Sequence, residues 1–319
     1  MTLQIGIIGA AGIAPAAIIR PASRTDRATI AAVGARNADR AAAYAAEHGI
    51  PRSYGSYEEL LADPELELIY VALPPSQHAE WSIKALRAGK DVLCEKPFAL
   101  DADEARAMNA VAAETGRRLI EAFHDRYHPL WDATVATAAR LGALRSVEGV
   151  FLVTNPYEPG TLRHEPALGG GALMDLGCYA LHWLRNLTGE EPAVESVEWR
   201  PNPSGADMGL DVRLVFPSGI RGHLVADMDA EFSDLLRIEG ERGVVEIDNP
   251  VFAARGHSIR STIDGIVRVE TVAGRETYDH QLEAVIDALH SGAQLPTEGD
   301  DPVGNMAAID AIHAAMGRG

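Results

Sequence analysis

The sequence is poor in cysteine, in long apolar runs and in basic residues, and each of these shortages argues against a class of protein. Its 319 residues include only two cysteines, Cys94 and Cys178, which are too few for a disulfide framework and fit a reducing cytoplasm. No apolar run reaches the roughly 18 residues that a membrane-spanning helix needs. Basic residues are outnumbered by acidic ones, and the net charge of −18 with a pI near 5.0 disfavours nucleic acid and anionic membranes as partners.

Targeting and metal-binding patterns are missing as well. The first residues enter an apolar strand without a preceding basic segment, so we expect no signal peptide. No HExxH or CxxC pattern occurs, and His78, His124 and His128 are separated by irregular segments, so we expect no metal site. No GxSxG pattern occurs, so the sequence gives no support for a hydrolase with that motif. The remaining composition, 47% apolar and 23% charged, is typical of a globular protein of one large or two ordinary domains.

Lysine is the scarcest basic residue, and one of its positions is informative. Lys84, Lys90 and Lys96 are the only three among 28 basic residues. Lys96 closes the apolar segment 90–97, which predicts a buried strand that ends in a Glu-Lys-Pro turn. Open parallel sheets carry their chemistry at the carboxyl ends of strands, and an amine can shift its pKa where a guanidinium effectively cannot. We therefore predict a functional role for Lys96; the alternative is an ordinary surface lysine after a core strand.

The N-terminal residues have the pattern of a dinucleotide-binding turn. Leu3–Ile8 predicts a strand, the Gly-Ala-Ala-Gly segment that follows predicts a turn, and a helix starts near Ile13. This context favours a dinucleotide fingerprint, in which the predicted cofactor contacts are Gly9, Ala11, Gly12 and Ile13. Ala11 stands where the fingerprint has its second glycine, and a simple glycine turn is the alternative interpretation.

The end of the second predicted strand favours NADP over NAD. Strand 29–35 is followed by Arg36 and Arg40, which lie one helical turn apart, and no acidic residue occupies the strand end. An acidic residue here holds the ribose hydroxyls of NAD, whereas guanidinium groups suit the 2′-phosphate of NADP. The alternative is that both arginines are simply solvated at the start of a helix.

The rest of the first half alternates strands and helices. Strand 68–73 ends at Leu73, and Pro74 and His78 lead into the next helix; we predict that all three contact the cofactor, although a histidine at such a position is often only exposed. A capping box at Asp101 predicts a helix over 102–115. The alternation predicts an N-terminal Rossmann domain with a doubly wound parallel sheet over residues 1–123.

The second half has a different pattern. After a helix over 128–141, several apolar strands are separated by short turns such as 217–219 and 240–243, which are typical of hairpins. We predict a C-terminal α+β domain over 124–319 with a large, mainly antiparallel open sheet. Because one face of such a sheet is left free, we expect a homodimer or homotetramer that assembles through it.

The segment Gly169–Gly171 and the residues after it carry the second set of candidate site residues. Asp175, Tyr179 and His182 follow at spacings of four and three, so they share one face of a predicted helix. A triple glycine before a helix permits close approach of the backbone to a ligand. The alternative is a helix whose polar side is solvated.

A tyrosine and a lysine make a chemically sensible pair. The free pKa of tyrosine, about 10, is too high for efficient proton donation near neutrality, and a nearby ammonium group lowers it. We predict that NADPH delivers hydride to a carbonyl carbon while Tyr179, assisted by Lys96, protonates the oxygen. Asp175 is predicted to bind a substrate hydroxyl or to orient Lys96, and His182 to do the same.

The chain resembles the glucose–fructose oxidoreductase/inositol dehydrogenase family over essentially its whole length, and four segments carry the resemblance. They are Gly-Ala-Ala-Gly-Ile-Ala over 9–14, Ala-Leu-Arg-Ala-Gly-Lys-Asp-Val-Leu-Cys-Glu-Lys-Pro over 85–97, Glu-Ala-Phe…Arg-Tyr-His-Pro over 121–129, and Gly-Gly-Gly-Ala-Leu-Met-Asp-Leu-Gly-Cys-Tyr over 169–179. Within the family the chain is similar to dimeric dihydrodiol dehydrogenases and NADP-dependent xylose dehydrogenases.

The resemblance implies an NADP-dependent oxidoreductase with Lys96 and Tyr179 as its catalytic pair. It also implies that Asp175 lies nearby, that Glu95 belongs to the cofactor cleft and that Arg126 contacts the substrate. Three positions depart from the family pattern: Pro75 where many relatives have Asn, Asp125 where an aromatic residue is common, and His182 where relatives vary.

The preferred substrate class is a sugar, a polyol or a related cyclic diol. Two alternatives remain: an enzyme with a tightly bound nicotinamide that is recycled within each turnover, and an NADP-binding sensor without turnover. We expect substrate specificity to depend on segments 154–168 and 249–258, which do not name the substrate or the direction of the reaction.

Overall fold

The computed structural model describes residues 2–317, which form two compact units. The first unit runs to Phe123 and also includes Tyr278–Val303. The second unit contains His124–Thr277 and resumes at Gly304. Within residues 2–317, no helix is long and apolar enough to cross a membrane.

The first unit is built on a six-stranded parallel sheet with the strand order β3-β2-β1-β4-β5-β6. In chain order its elements are β1 (Leu3–Ile8), α1 (Arg20–Ser23), β2 (Ala28–Gly34), α2 (Ala38–His48), β3 (Arg52–Tyr54), α3 (Tyr57–Leu61), β4 (Leu68–Val71), α4 (His78–Arg87), β5 (Asp91–Cys94), α5 (Ala102–Thr115) and β6 (Leu119–Glu121). The predicted doubly wound parallel sheet is confirmed.

The helix boundaries of this unit follow from local chemistry. Asn37, Ser56 and Asp101 each accept a backbone N–H with their side chains at the start of α2, α3 and α5. Gly49 and Gly116 end α2 and α5 in the left-handed conformation that glycine adopts without penalty. Because these signals are local, the sequence predicts the bounds of α5 correctly.

The core of the first unit lies along its central strands. Ile5, Ile7, Leu68 and Leu93 are fully buried there, as expected for strands covered on both faces. The cluster is completed by Leu282, Val285 and Ile286 from a later part of the chain.

The second unit is built on an eight-stranded sheet with the order β14-β13-β12-β11-β7-β10-β9-β8. All neighbours are antiparallel except β7 and β10, so the predicted mainly antiparallel sheet is confirmed. The remaining elements in chain order are α6 (Pro129–Ala138), β7 (Leu144–Thr154), α7 (Cys178–Thr188), β8 (Ala193–Pro201), β9 (Asp207–Val215), β10 (Arg221–Asp227), β11 (Asp229–Gly240), β12 (Gly243–Asp248), β13 (Ser258–Ile263), β14 (Ile266–Glu270), α8 (Thr277–Ser291) and α9 (Asp300–Ala315).

Helix α7 packs on one face of the second sheet. A Cβ atom at Gly149 of β7 would lie 2.8 Å from the Cβ of Ala180, so glycine is what permits this close approach. On the opposite face, His223 of β10 lies 2.7 Å from a carboxylate oxygen of Glu148 and 3.1 Å from one of Asp211. The sheet therefore has an apolar face under α7 and a charged outer face.

Candidate active site

The carboxyl ends of four parallel strands of the first unit are aligned in one row. Ile8 of β1 is paired with Gly34 of β2 and with Val71 of β4, which in turn is paired with Cys94 of β5. The chain order reverses between β1 and β4, and open parallel sheets bind their ligands outside such a switch point. The predicted cofactor residues of the first unit all follow these strand ends.

The glycine turn after β1 is closed on one side and open on the other. Gly9 has φ = 102°, and a Cβ there would lie 2.8 Å from the carbonyl oxygen of Ala72 after β4. A Cβ at Gly12 would meet no atom within 4 Å, and Ile13 keeps 39% of its surface exposed. Half-exposed Ala11 lies between them, and its carbonyl accepts the Tyr44 hydroxyl at 2.9 Å. The open side of this turn, followed by a helix start, fits the pyrophosphate of a dinucleotide.

The two predicted phosphate-binding arginines lie beside this turn. Arg40 donates a guanidinium N–H to the Ala10 carbonyl at 3.0 Å. Burial raises the pKa of Tyr57, and the charges of Arg36 and Arg40 offset part of the rise, which places both arginines near this phenol. Both arginines are exposed, and Arg40 is bonded to the turn.

His78 contacts a backbone carbonyl group of the segment that follows β4. Leu73 is buried, Pro74 is half-buried, and His78 has no exposed surface. The His78 ring nitrogens lie 2.8 Å from the Leu73 carbonyl and 2.9 Å from that of Pro97. Burial lowers the pKa of His78 to about 4, so the ring is neutral near pH 7 and donates its one N–H to one of these two carbonyl groups at a time. The ring lies between the segments after β4 and β5, so the alternative of an exposed histidine is wrong, whereas its contact with the cofactor stays a prediction.

The Glu-Lys-Pro turn after β5 is also fixed by local bonds. The carboxylate of Glu95, which is buried, accepts the hydroxyl of Tyr70 and, at 3.3 Å, the backbone N–H of Lys96. Burial, and after it the charge of Glu95, raises the pKa of Tyr70 well above its ordinary value. The side chain of Lys96 is half-buried, and the Lys96–Pro97 peptide bond is cis.

The triple glycine of the second unit approaches protein groups. A Cβ at Gly170 would lie 2.5 Å from the Leu162 carbonyl oxygen, and one at Gly171 would lie 2.3 Å from a carboxylate oxygen of Asp207. Asp207 accepts the Leu173 N–H at 2.6 Å and so satisfies the start of the helix. The expectation that these glycines make room for a ligand is therefore corrected.

Tyr179 belongs to a buried row of hydrogen-bonded side chains in the second unit. It is 5% exposed, and its hydroxyl lies 3.2 Å from Nε2 of His124, whose Nδ1 lies 2.6 Å from Oγ1 of Thr277. The rings of Phe151 and Phe252 pack beside this chain of bonds, with Phe151 against Tyr179 and Phe252 against His124. The phenol is thus held in one orientation by a histidine that the sequence analysis did not assign to the site.

Asp175 lies at the edge of this group. Its carboxylate accepts a guanidinium N–H from Arg163 at 2.7 Å, and its side chain is 21% exposed. Arg163 belongs to the segment 154–168 in which substrate specificity is expected. The ion pair therefore joins that segment to the start of the helix that carries Tyr179.

His182 is buried next to Asp125. Burial raises the pKa of Asp125, and the charge of His182 and the Trp183 N–H that Asp125 accepts at 2.7 Å offset only part of the rise. Tyr179 and His182 therefore face the consecutive residues His124 and Asp125, which rules out a solvated polar side for this helix. Arg126, by contrast, is half-buried with its guanidinium 4.9 Å from the Trp131 ring.

A buried carboxyl supports the wall beside Tyr179. Asp234 of β11 is 4% exposed and accepts the N–H of Val251, directly before Phe252. Burial raises the pKa of Asp234 to about 8, and the charge of Asp125 adds to the rise. Asp234 therefore holds the segment that places the Phe252 ring.

The sequence carries one signal for His124, which is its place inside the 121–129 motif. Its partners are 55 and 153 positions away along the chain, so no local pattern indicates the bonds that it makes. Among residues 2–317, no three or more His, Cys, Asp or Glu side chains are grouped as metal ligands.

Comparison with known proteins matches both units to sequence families. Residues 3–123 match a family described as an oxidoreductase family with an NAD-binding Rossmann fold, and residues 134–246 match the GFO/IDH/MocA C-terminal domain.

Two characterised relatives and one solved structure are similar over most of the chain. A D-xylose 1-dehydrogenase (NADP(+)) of Haloferax volcanii is 34% identical over 99% of this chain and 98% of its own. A trans-1,2-dihydrobenzene-1,2-diol dehydrogenase of Sus scrofa is 34% identical over 78% of this chain and 75% of its own. A 3-ketoreductase from Actinomadura kijaniata, solved with NADP and TDP-benzene, is 25% identical with a TM-score of 0.92, covering 99% of this chain and 98% of its own.

Proposed function

Because the chain belongs to the GFO/IDH/MocA family of oxidoreductases, we propose that it transfers a hydride between NADP and a carbonyl or alcohol group of a sugar, a polyol or a cyclic diol. The observation that carries the proposal is Tyr179, a buried phenol whose hydroxyl is held by His124. The substrate class is supported by the names of the xylose and dihydrodiol dehydrogenases, to which the chain is similar.

The preference for NADP rests on Arg36 and Arg40. Two exposed guanidinium groups beside the glycine turn, with Arg40 bonded to the Ala10 carbonyl, suit the 2′-phosphate that distinguishes NADP from NAD. Further cofactor contacts are assigned to the turn and to the segments after β4 and β5: Gly9, Ala11, Gly12, Ile13, Leu73, Pro74, Glu95 and Lys96. His78 acts on the cofactor through the carbonyl groups it links.

When bound, the nicotinamide supplies or accepts the hydride. In the reducing direction, Tyr179 donates its phenolic proton to the carbonyl oxygen; in the oxidising direction, the phenolate accepts the proton of the alcohol. Lys96 is assigned the task of favouring the phenolate by its positive charge. Asp175, Arg126 and His182 are assigned to the substrate.

The proposal divides these tasks between a cofactor-binding domain over 1–123 and a substrate-binding domain over 124–319, of which the segment Tyr278–Val303 packs with the first unit. It also includes assembly into a homodimer or homotetramer through the charged outer face of the second sheet. Light scattering across a concentration series tests the assembly, and a monomer at every concentration contradicts it.

The first experiment compares NADPH and NADH binding by fluorescence titration of the purified protein. NADPH should bind at least tenfold more tightly, which corresponds to about 1.4 kcal/mol. Arg36→Ser should abolish the difference, whereas Arg87→Ser, which removes an exposed arginine of α4, should preserve it. Equal affinity of the unmodified protein for both cofactors contradicts the assignment to NADP.

The second experiment tests the catalytic pair. Lys96→Ala and Tyr179→Phe should each lower kcat by 100-fold or more with D-xylose, other aldoses, myo-inositol and trans-1,2-dihydrobenzene-1,2-diol as candidate substrates. The melting temperature and NADPH affinity of Tyr179→Phe should stay unchanged. Nicotinamide that remains bound through purification would favour the internally recycled cofactor, and binding without turnover would favour the sensor.

A further inference from the structure

The phenol of Tyr179 is hydrogen-bonded to His124, a residue with no role so far in the proposed reaction. His124 is 1% exposed, and its two nitrogens bridge the Tyr179 hydroxyl and the Thr277 hydroxyl, at 3.2 and 2.6 Å. The three side chains come from α7, from the turn after β6 and from the first residue of α8. Both partners are hydroxyl groups, which can donate or accept, so the bridge can persist whether His124 is charged or neutral.

The two hydroxyls limit what the imidazole can do. A protonated imidazole donates Nε2–H to the Tyr179 oxygen and Nδ1–H to the Thr277 oxygen, which leaves the tyrosine O–H directed at a substrate. A neutral imidazole with Nδ1–H on Thr277 has an unprotonated Nε2 that accepts the tyrosine O–H. Thr277 can keep the Nδ1 proton in place in both states, so a change of charge on His124 is a change at Nε2 alone.

We propose that His124 carries the proton that Tyr179 exchanges with the substrate, an inference that rests on the proposed role of Tyr179 as acid and base. In reduction, the carbonyl carbon gains the hydride and the carbonyl oxygen gains the Tyr179 proton. The Tyr179 oxygen then regains a proton from Nε2, and His124 changes from imidazolium to imidazole. In oxidation, the alcohol proton passes to the Tyr179 oxygen, and Nε2 accepts the excess proton. Exchange with water between turnovers resets His124.

Thr277 is a positioning residue in this scheme. Its hydroxyl fixes the side of the ring on which the second proton stays, and the Phe252 and Phe151 rings keep the bonded groups from turning away. Loss of the hydroxyl alone should therefore weaken proton transfer without removing it.

Matched variants separate proton carriage from support of the fold. His124→Ala should lower kcat about 100-fold with little change in KM, and imidazole in the buffer should restore at least tenfold of the loss, because it can occupy the space and carry the proton. His124→Gln can place an amide donor near the Nε2 position, toward Tyr179, but cannot carry a proton, so its kcat should stay low with or without imidazole. Thr277→Val should lower kcat by about tenfold.

The readouts are kcat and KM with NADP⁺ and each candidate substrate named above, together with NADPH affinity and the melting temperature of each variant. A kcat for His124→Gln within twofold of the unmodified enzyme overturns the inference. So does a folded, NADPH-binding His124→Ala whose low kcat does not respond to imidazole. If His124→Ala does not fold, the polar His124→Gln decides alone.

Failure of the inference differs from failure of the proposed function. An inactive Tyr179→Phe with fully active His124 variants removes only the proton-carrying role of His124. An active Tyr179→Phe, or an unmodified enzyme without turnover of any candidate substrate, removes the proposed function itself and the inference with it.

Discussion

Two glycine segments, Gly9–Gly12 in the first unit and Gly169–Gly171 in the second, have the same local pattern and opposite surroundings. Each is followed by one turn of π-helix, over Pro15–Ile19 and Leu173–Gly177, and then by an α-helix. At Gly12 the missing side chain faces open space, whereas at Gly171 it would fall on the carboxylate of Asp207.

The difference shows that glycine before a helix can serve either a ligand or the protein. In the first segment the helix start is open, so a phosphate group can approach the backbone. In the second, Asp207 occupies the position that an anion would take at the helix start and bonds to the Leu173 N–H. The second segment thus packs against Asp207 and so fixes the start of the helix that leads to Tyr179, and a ligand would have to be bound by other residues.

The largest expected effect is on the closed segment. Gly171 has φ = 129°, so Gly171→Ala adds backbone strain to a contact of 2.3 Å with Asp207. We expect a loss of about 4 kcal/mol in the free energy of unfolding, measured by urea denaturation. Gly189→Ala, with φ = 67° and no atom within 4 Å of the added carbon, should lose only about 1 kcal/mol. Equal losses at both positions would mean that the contact with Asp207 is unimportant.

The next effect is a loss of stability in acid, and it is expected from a group in the first unit. His78 has a pKa of about 4 in the folded protein and about 6.5 when unfolded. Between pH 4 and pH 6.5 its ring is therefore protonated in the unfolded chain and neutral in the folded protein. Its contribution is complete above pH 6.5 and is lost as the pH falls to 4, by up to about 3 kcal/mol. His78→Asn should flatten this pH dependence in urea denaturation, and the exposed His290→Asn should not. An unchanged slope for His78→Asn would show that the buried ring takes up its proton without cost.

The second unit should respond to base instead. The pKa of Asp234 is raised to about 8, so the folded protein keeps a proton that the unfolded chain loses above about pH 4. Stability from this group is complete below pH 4 and is lost as the pH rises to 8. Asp234→Asn keeps an acceptor for the Val251 N–H and should gain about 3 kcal/mol over the original at pH 6. Asp229→Asn, an exposed position on the same strand, should gain nothing; a similar gain there would refute the assignment to Asp234.

The smallest effect on stability is expected at the open segment. Gly12→Ala should change the free energy of unfolding by less than about 0.5 kcal/mol, because the added carbon meets nothing. It should nevertheless weaken NADPH binding roughly tenfold, or about 1.4 kcal/mol, by filling the space that a phosphate needs. Unchanged affinity in a fluorescence titration would place the cofactor elsewhere.

The comparison also shows where sequence patterns were sufficient. The Rossmann strands, the bounds of α5 and the hairpins at 217–219 and 240–243 were predictable because strand alternation, side-chain caps and turn residues act over a few positions. The family resemblance added the activity class. Local patterns did not reveal that Gly171 faces Asp207, that His78 is buried between two carbonyl groups, or that Tyr179 meets His124, because each of these depends on which distant segments the fold brings together.

The course of the chain through the first unit has a consequence for its synthesis. The core around Ile5 and Ile7 is completed by Leu282, Val285 and Ile286, and Arg118 is bonded to Glu298 at 2.6 to 2.8 Å. A growing chain that has passed Phe123 therefore still lacks the segment that covers its first sheet. The nucleotide-binding unit can therefore be completed on the ribosome only after residues 124–277 of the second unit have been made, and the second unit in turn waits for the segment that begins at Gly304.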